Sequence, residues 1–214
     1  MALICGIDEA GRGPAIGPMI ICGFAIDEKD VDKLVALGVT DSKLLSPKRR
    51  EELYEELIKY SHHVVTSSPA DIDSALLDPA LNLNWLEAIS TANAINVLKP
   101  TRAFVDCPSN NIKAYSDYLK ALLNVKCELI CEHGADLTYP VAGAASIIAK
   151  VTRDRAIEEL KLKVGDLGSG YPSDPKTKLF LEQNFDKHPE IFRKTWKCYK
   201  NVITKKTQKS LGEF

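Results

Sequence analysis

Apolar positions fall into short unbroken runs and longer stripes at helical spacing, and the two alternate along the chain. Residues 3–7 are short, apolar and continuous, as a buried central strand requires, and residues 19–26 form a second such run. The connection between them is rich in glycine, so the two runs are expected to pair as antiparallel neighbours. Residues 27–37 read as a short helix, and residues 38–43 as a loop. Ser46-Pro47, an N-cap followed by proline at the first helical position, opens a charged helix to about Tyr60, with Leu53, Leu57 and Tyr60 facing inward. Residues 62–68 read as a strand that Pro69 ends. Leu81, Trp85, Ala88, Ile89, Ala92 and Ile95 then keep helical spacing as a core stripe up to Lys99-Pro100.

Residues 102–106 repeat the opening pattern, an apolar strand ending in an acid. Ser109 or Asn110 is expected to cap a helix carrying Tyr115, Tyr118, Leu119 and Leu122, and residues 126–132 form another strand. Asp136 follows in a loop, and a long helix starts at Pro140. Its alanines, from Ala142 to Ala149, imply close packing against the sheet. Neighbouring strands followed by alternating strands and helices make the fold α/β, with a mixed sheet antiparallel at one edge and parallel beyond.

A chain of 214 residues suits one such domain with a small C-terminal appendage. No apolar run approaches the roughly 20 residues needed to cross a bilayer, and no cleavable leader is recognisable, so a cytoplasmic monomer with no membrane partner is expected. The six cysteines form no C-x-x-C pair. Cys127, Cys131 and His133 have a zinc-like spacing, yet Cys127, Leu129 and Cys131 alternate with Glu128, Ile130 and Glu132 as a half-buried strand does.

The net charge of -1 conceals a segregation. Residues 193–209 hold seven bases (Arg193, Lys194, Lys197, Lys200, Lys205, Lys206, Lys209) and no acid, leaving 21 bases against 29 acids elsewhere. Such a stretch is an electrostatic footprint for a polyanion, docked here as a helix through Trp196, Tyr199 and Ile203. Lys194, Lys197 and Lys200 are its expected phosphate contacts.

Folding needs alone do not explain Asp8-Glu9 followed by Gly11-Arg12-Gly13. Successive strand side chains point to opposite faces, so both carboxylates reach one site only if the chain leaves strand geometry near Glu9. Gly11 and Gly13 tolerate positive φ and close approach of backbone amides to a ligand, and Arg12 offers a planar donor fork. Asp8, Glu9, Asp106 and Asp136 all fall at strand ends or in the loop after a strand, where side chains converge on one edge of an α/β sheet. Crowded carboxylates need hard cations, and all-oxygen ligands suit Mg²⁺ or Mn²⁺. Two such ions about 4 Å apart are the usual apparatus for phosphodiester hydrolysis. A glycosidase has no use for the Gly-Arg-Gly element, and no Ser or Cys has a plausible His partner.

These residues, with Asp41-Ser42-Lys43, Val105-Asp106, Glu132-His133, Ala135-Asp136, Ala144-Ala145-Ser146-Ile147-Ile148-Ala149-Lys150 and Gly168-Ser169-Gly170-Tyr171-Pro172, resemble ribonuclease H type 2 in its single-chain archaeal-like form over nearly the whole chain. The resemblance implies a ribonuclease-H-like fold with a mixed five-stranded sheet flanked by helices. It divides the chain into a catalytic domain (residues 1–165), a helical C-terminal substrate-binding region (166–207) and a tail (208–214). The implied activity is endonucleolytic cleavage of the RNA strand of RNA/DNA hybrids and of duplex DNA at single embedded ribonucleotides, leaving 5'-phosphate and 3'-hydroxyl ends. Asp8, Glu9, Asp106 and Asp136 would bind the two metal ions. The Gly11, Arg12 and Gly13 backbone and the Tyr171 phenol would read the ribose 2'-hydroxyl, which separates RNA from DNA. Lys43 and Asn84 count as further substrate contacts, although Asn82 and Asn84 also fall where a helix cap belongs. Gly134 departs from the pattern, which has a lysine there. Two readings compete: another nuclease on the same fold, and a catalytically silent hybrid-binding module.

Gln208, Leu211 and Phe214 are spaced by three, so a 3₁₀ turn would align an amide and two apolar plugs. They resemble the peptide by which repair enzymes dock on the sliding clamp, proliferating cell nuclear antigen, although this chain stops at one aromatic.

Overall fold

The computed structural model describes residues 2–39, 42 and 44–211, the last five by their backbone alone. Lys43 and Phe214, and the side chains of Gln208 and Leu211, lie outside the described residues, and with them the expected clamp-binding face. In chain order the elements are β1 (Leu3–Ala10), β2 (Met19–Asp27), α1 (Val31–Leu37), α2 (Pro47–Leu57), β3 (Ser61–Ser67), α3 (Pro69–Leu77), α4 (Leu83–Leu98), β4 (Arg102–Asp106), α5 (Ile112–Ala121), β5 (Glu128–Glu132), α6 (Ala135–Thr138), α7 (Pro140–Val164), α8 (Pro175–Asn184) and α9 (Lys197–Leu211). Among the described residues no helix is long and apolar enough to cross a membrane.

The chain divides into two compact units. The first comprises residues 1–10, 20–66 and 83–153 and holds the sheet, in the order β3-β2-β1-β4-β5. β1 pairs antiparallel with β2 and parallel with β4, and β4 parallel with β5, which is the mixed five-stranded sheet expected. Ile4, Ile20, Phe24, Phe104, Val141, Ala144, Ala145 and Ile148 are buried together in its core. Gly6 explains how the backbone of α7 comes so close: a methyl there would lie 2.1 Å from the Val141 carbonyl carbon.

The second unit joins residues 11–19, 67–82 and 154–214, three stretches far apart in sequence. Its core gathers Ile16, Ile157, Leu167, Phe180, Leu181, Ile191, Phe192, Tyr199 and Val202. Residue Ile16 bridges Phe192, so the connection after β1 forms part of this unit.

Several local expectations are corrected. β1 does not stop at Ile7 but stays paired with β2 to Ala10. Pro69 ends β3 and also starts a helix: the Ser68 hydroxyl accepts from the Asp71 amide while the Asp71 carboxylate accepts from the Ser68 amide, a capping box with proline in the first turn. Asn111, rather than Ser109 or Asn110, caps α5 through the Ala114 amide. Ile89 is 39% exposed, because α4 turns Glu87, Ser90 and Thr91 inward instead. Tyr60 lies beyond the end of α2, yet packs on the core beside Phe24.

Candidate active site

In the first unit, Asp8, Glu9 and Asp106 each offer an oxygen within 4.8 Å of the others, and among the described residues no other group of three or more potential metal ligands occurs. Strand geometry is retained through Glu9, against the expectation. The parallel ladder between β1 and β4 instead ends at Ile7 opposite Val105, so Asp8 and Glu9 stand beyond the last paired rung on that side. There the flanking acid of β4, Asp106, meets them.

Each carboxylate is held differently. The Asp8 Oδ1 accepts from the Glu9 amide at 2.7 Å, and the Ser146 hydroxyl on α7 donates to the same carboxylate. Ser146 is itself 2.8 Å from the buried Ser42 hydroxyl, the only described member of the Asp41-Ser42-Lys43 stretch. Asp106 Oδ1 accepts from the Gly134 and Ala135 amides at 2.7 and 3.2 Å, which ties β4 to the start of α6. Asp136 is buried in the first turn of that helix and not in a loop, and it stands outside the three-acid group.

Burial pushes the Asp8 carboxyl well above the usual carboxylate range, and repulsion from Glu9 and then Asp106 adds to it, while the Ser146 and Glu9 hydrogen bonds act the other way. A group so placed gains from a cation. The donors are all hard oxygens, a set that fits a divalent ion of the Mg²⁺ or Mn²⁺ kind and is poor for softer metals. The zinc spacing, by contrast, gathers no site: Cys127, Cys131 and His133 form no group of potential metal ligands among the described residues, and His133 Nδ1 is 2.8 Å from the Cys107 carbonyl. Asn84 lies half-buried in the first turn of α4.

In the second unit the Gly11–Gly13 stretch is tied to Arg193 and Trp196. Gly11 takes φ 82°, a backbone conformation that favours glycine, whereas Gly13 keeps an ordinary φ and is exposed. A methyl on Gly13 would lie 3.6 Å from Cε1 of Tyr171, a residue that is 38% exposed. Gly170, just before Tyr171, accepts at its carbonyl from the Ala15 amide at 2.8 Å and donates its own amide to the buried Thr177 hydroxyl at 3.0 Å. Asp174 caps α8 and accepts from the Ser169 amide, which holds its carboxyl down to about 2.

Arg193 does not belong to a phosphate-binding face, as its place in the basic stretch suggests. It is wholly buried and donates Nε to Gly17 O at 3.0 Å, Nη1 to Arg12 O at 2.8 Å and Nη2 to Gly11 O at 2.6 Å. A buried cation survives only with such partners, and hydrogen bonds from charged donors contribute about 1.5–3 kcal/mol each. Lys194, Lys197 and Lys200 are exposed as expected. Tyr199 and Val202 are buried and dock α9, while Ile203 is 36% exposed. Sequence reasoning also missed Asp73 on α3, which accepts from the Lys194 and Thr195 amides and the Thr195 hydroxyl. The signal that announces its helix is Ser68-Pro69-Ala70-Asp71.

A family model described as Ribonuclease HII matches residues 5–199. Ribonuclease HII of Pyrococcus furiosus is 43% identical over an alignment covering 99% of this chain and 97% of the relative. The crystal structure of ribonuclease H2 from Pyrococcus horikoshii OT3 superposes with a TM-score of 0.87 at 42% identity, covering 95% of this chain and 98% of that one. An Archaeoglobus fulgidus RNase HII, solved in complex with PCNA, gives 0.83 at 42% identity, covering 91% and 95%. The chain therefore belongs to the ribonuclease HII family, and it is a metal-dependent endoribonuclease H.

Proposed function

We propose that the enzyme cuts the RNA strand of RNA/DNA hybrids and nicks duplex DNA at single embedded ribonucleotides, leaving 5'-phosphate and 3'-hydroxyl ends. The observation that carries this reading is the convergence of Asp8, Glu9 and Asp106 at the open end of the β1–β4 ladder. These three, with Asp136, would hold two Mg²⁺ or Mn²⁺ ions. The chemistry such ions would supply there is activation of a water and stabilisation of the leaving oxygen. The chain's own contribution is to fix the carboxylates. Ser146 orients Asp8, and the amides of Gly134 and Ala135 commit one oxygen of Asp106 to the protein. Gly11, Arg12, Gly13 and Tyr171 would recognise the ribose, and Lys43, Asn84, Lys194, Lys197 and Lys200 the backbone of the duplex.

In this reading residues 1–165 carry catalysis, residues 166–207 bind substrate, and Gln208, Leu211 and Phe214 dock the enzyme on the sliding clamp. A relative of 42% identity solved in complex with PCNA supports the last point. The deciding experiment is Mg²⁺-dependent nicking of a duplex that holds one ribonucleotide, with an all-DNA duplex as control. Cleavage of long hybrids alone, with the single-ribonucleotide duplex left intact, would refute the narrower part.

A further inference from the structure

The Arg193 side chain and the Gly11–Gly13 loop are joined by more than packing. Three different nitrogens of one guanidinium each hold a different carbonyl: Nε holds Gly17, Nη1 holds Arg12 and Nη2 holds Gly11. A planar fork holds the three acceptors from three nitrogens in fixed directions, whereas an ammonium would have to gather all three around one nitrogen. The Arg193 backbone is held in turn, its amide donating to Ala15 O at 2.9 Å and its carbonyl accepting from the Trp196 amide at 3.1 Å. The guanidinium carbon lies 5.0 Å from the Trp196 ring centroid, and the indole Nε1 donates to Gly13 O at 3.2 Å.

In a trans peptide the carbonyl of one residue and the amide of the next point in opposite directions. Capture of the Gly11 and Arg12 carbonyls therefore turns the Arg12 and Gly13 N–H groups away from Arg193. The other two captured carbonyls, of Gly13 and Gly17, precede Pro14 and Pro18, which have no N–H to present. The Arg12 and Gly13 amides therefore lie on the side of the loop away from the guanidinium.

We propose that Arg193 is a positioning residue for substrate recognition: by holding the Gly11 and Arg12 carbonyls, it orients the Arg12 and Gly13 amides as donors for a ribose hydroxyl of the ribonucleotide. This rests on the reading that the Gly11–Gly13 loop faces substrate. Arg193 itself touches no nucleic acid in this arrangement, since it is wholly buried.

The test compares the full-length enzyme with Arg193→Lys, Trp196→Phe and Gly13→Ala. Single-turnover cleavage of a single-ribonucleotide duplex, salt-dependent binding of an all-DNA duplex and Mn²⁺ affinity by calorimetry are the readouts. For a folded Arg193→Lys enzyme, cleavage should fall about 10- to 100-fold, as expected for lost charge-assisted bonds. Its all-DNA affinity, salt slope and Mn²⁺ affinity should stay at wild-type values, which neither a phosphate-contact role nor general loosening predicts. Trp196→Phe keeps a ring under the guanidinium but removes one carbonyl bond, and it should lose cleavage several-fold. Wild-type cleavage by Arg193→Lys, or a matching loss of Mn²⁺ affinity or salt slope, overturns the proposal. If Arg193→Lys does not fold, Trp196→Phe decides alone, wild-type cleavage overturning it. Impaired Gly13→Ala beside unimpaired Arg193→Lys sinks only this inference, whereas unimpaired Gly13→Ala sinks the loop reading beneath it.

Discussion

Gly13 and Tyr171 face each other at a distance that leaves room for one methyl group: a Cβ on Gly13 would lie 3.6 Å from the Tyr171 Cε1, an ordinary van der Waals contact, and at an ordinary φ. Gly13→Ala should therefore fold with an unchanged melting temperature. The methyl occupies the space beside the phenol that a ribose would use, so cleavage at a single ribonucleotide should drop about 10- to 100-fold. Tyr171→Phe removes only the hydroxyl and should cost about 1–3 kcal/mol in the same assay. Wild-type rates for both variants in single-turnover cleavage would remove the Gly13–Tyr171 face from the substrate site.

The raised Asp8 carboxyl makes a prediction about stability. A carboxyl whose folded pKa exceeds its unfolded value contributes stability that is fully present below the unfolded value and is lost as pH rises through the folded one. Metal-free enzyme should accordingly lose this contribution between the ordinary carboxylate range and Asp8's higher folded pKa. Asp8→Asn should melt no lower than wild type in EDTA at neutral pH, the difference shrinking in acid, while metal-dependent cleavage is abolished. A lower melting temperature for Asp8→Asn in EDTA would show that the acid serves folding.

Salt dependence separates the exposed lysines from their buried neighbour. Neutralising Lys194, Lys197 or Lys200 should reduce the slope of log affinity against log salt for duplex DNA by about 0.9 for each lost contact, without sequence preference. An unchanged slope after neutralising two of them would make this basic face merely solvated.

Gly6→Ala tests the close approach of α7 to β1. With backbone atoms of Val141 and Ala142 2.1 to 2.2 Å from the added carbon, something must shift, and overpacking of this kind costs about 3 kcal/mol. Denaturant unfolding should show a lower midpoint, and a wild-type midpoint would contradict the packing described.

The tail is tested with the clamp itself. A peptide of residues 204–214 should bind it in the micromolar range, since burying Leu211 and Phe214 contributes about 1.5–3 kcal/mol each before ordering costs. Its Leu211→Ala, Phe214→Ala double mutant should not bind. Equal binding by both peptides, or none by the wild-type peptide or the enzyme, would end the idea.

Local chemistry determined much of this protein from its sequence. Apolar runs at strand length, the Ser46-Pro47 start signal and the acids at the ends of two strands are short-range features, and they placed Asp8, Glu9 and Asp106 at one sheet edge. The strand pairing followed because the buried faces of β1, β2 and β4 leave few registers open. What only the tertiary structure decided is longer in range. The charge pattern put Arg193 in a phosphate-binding stretch, and no spacing rule links it to carbonyls more than 170 residues away. Nor does a linear reading place residues 11–19 and 67–82 in one compact unit with the C-terminal helices. A guanidinium reads as surface until the acceptors that satisfy it are known, and those are backbone carbonyls, which every residue type carries and no sequence pattern marks.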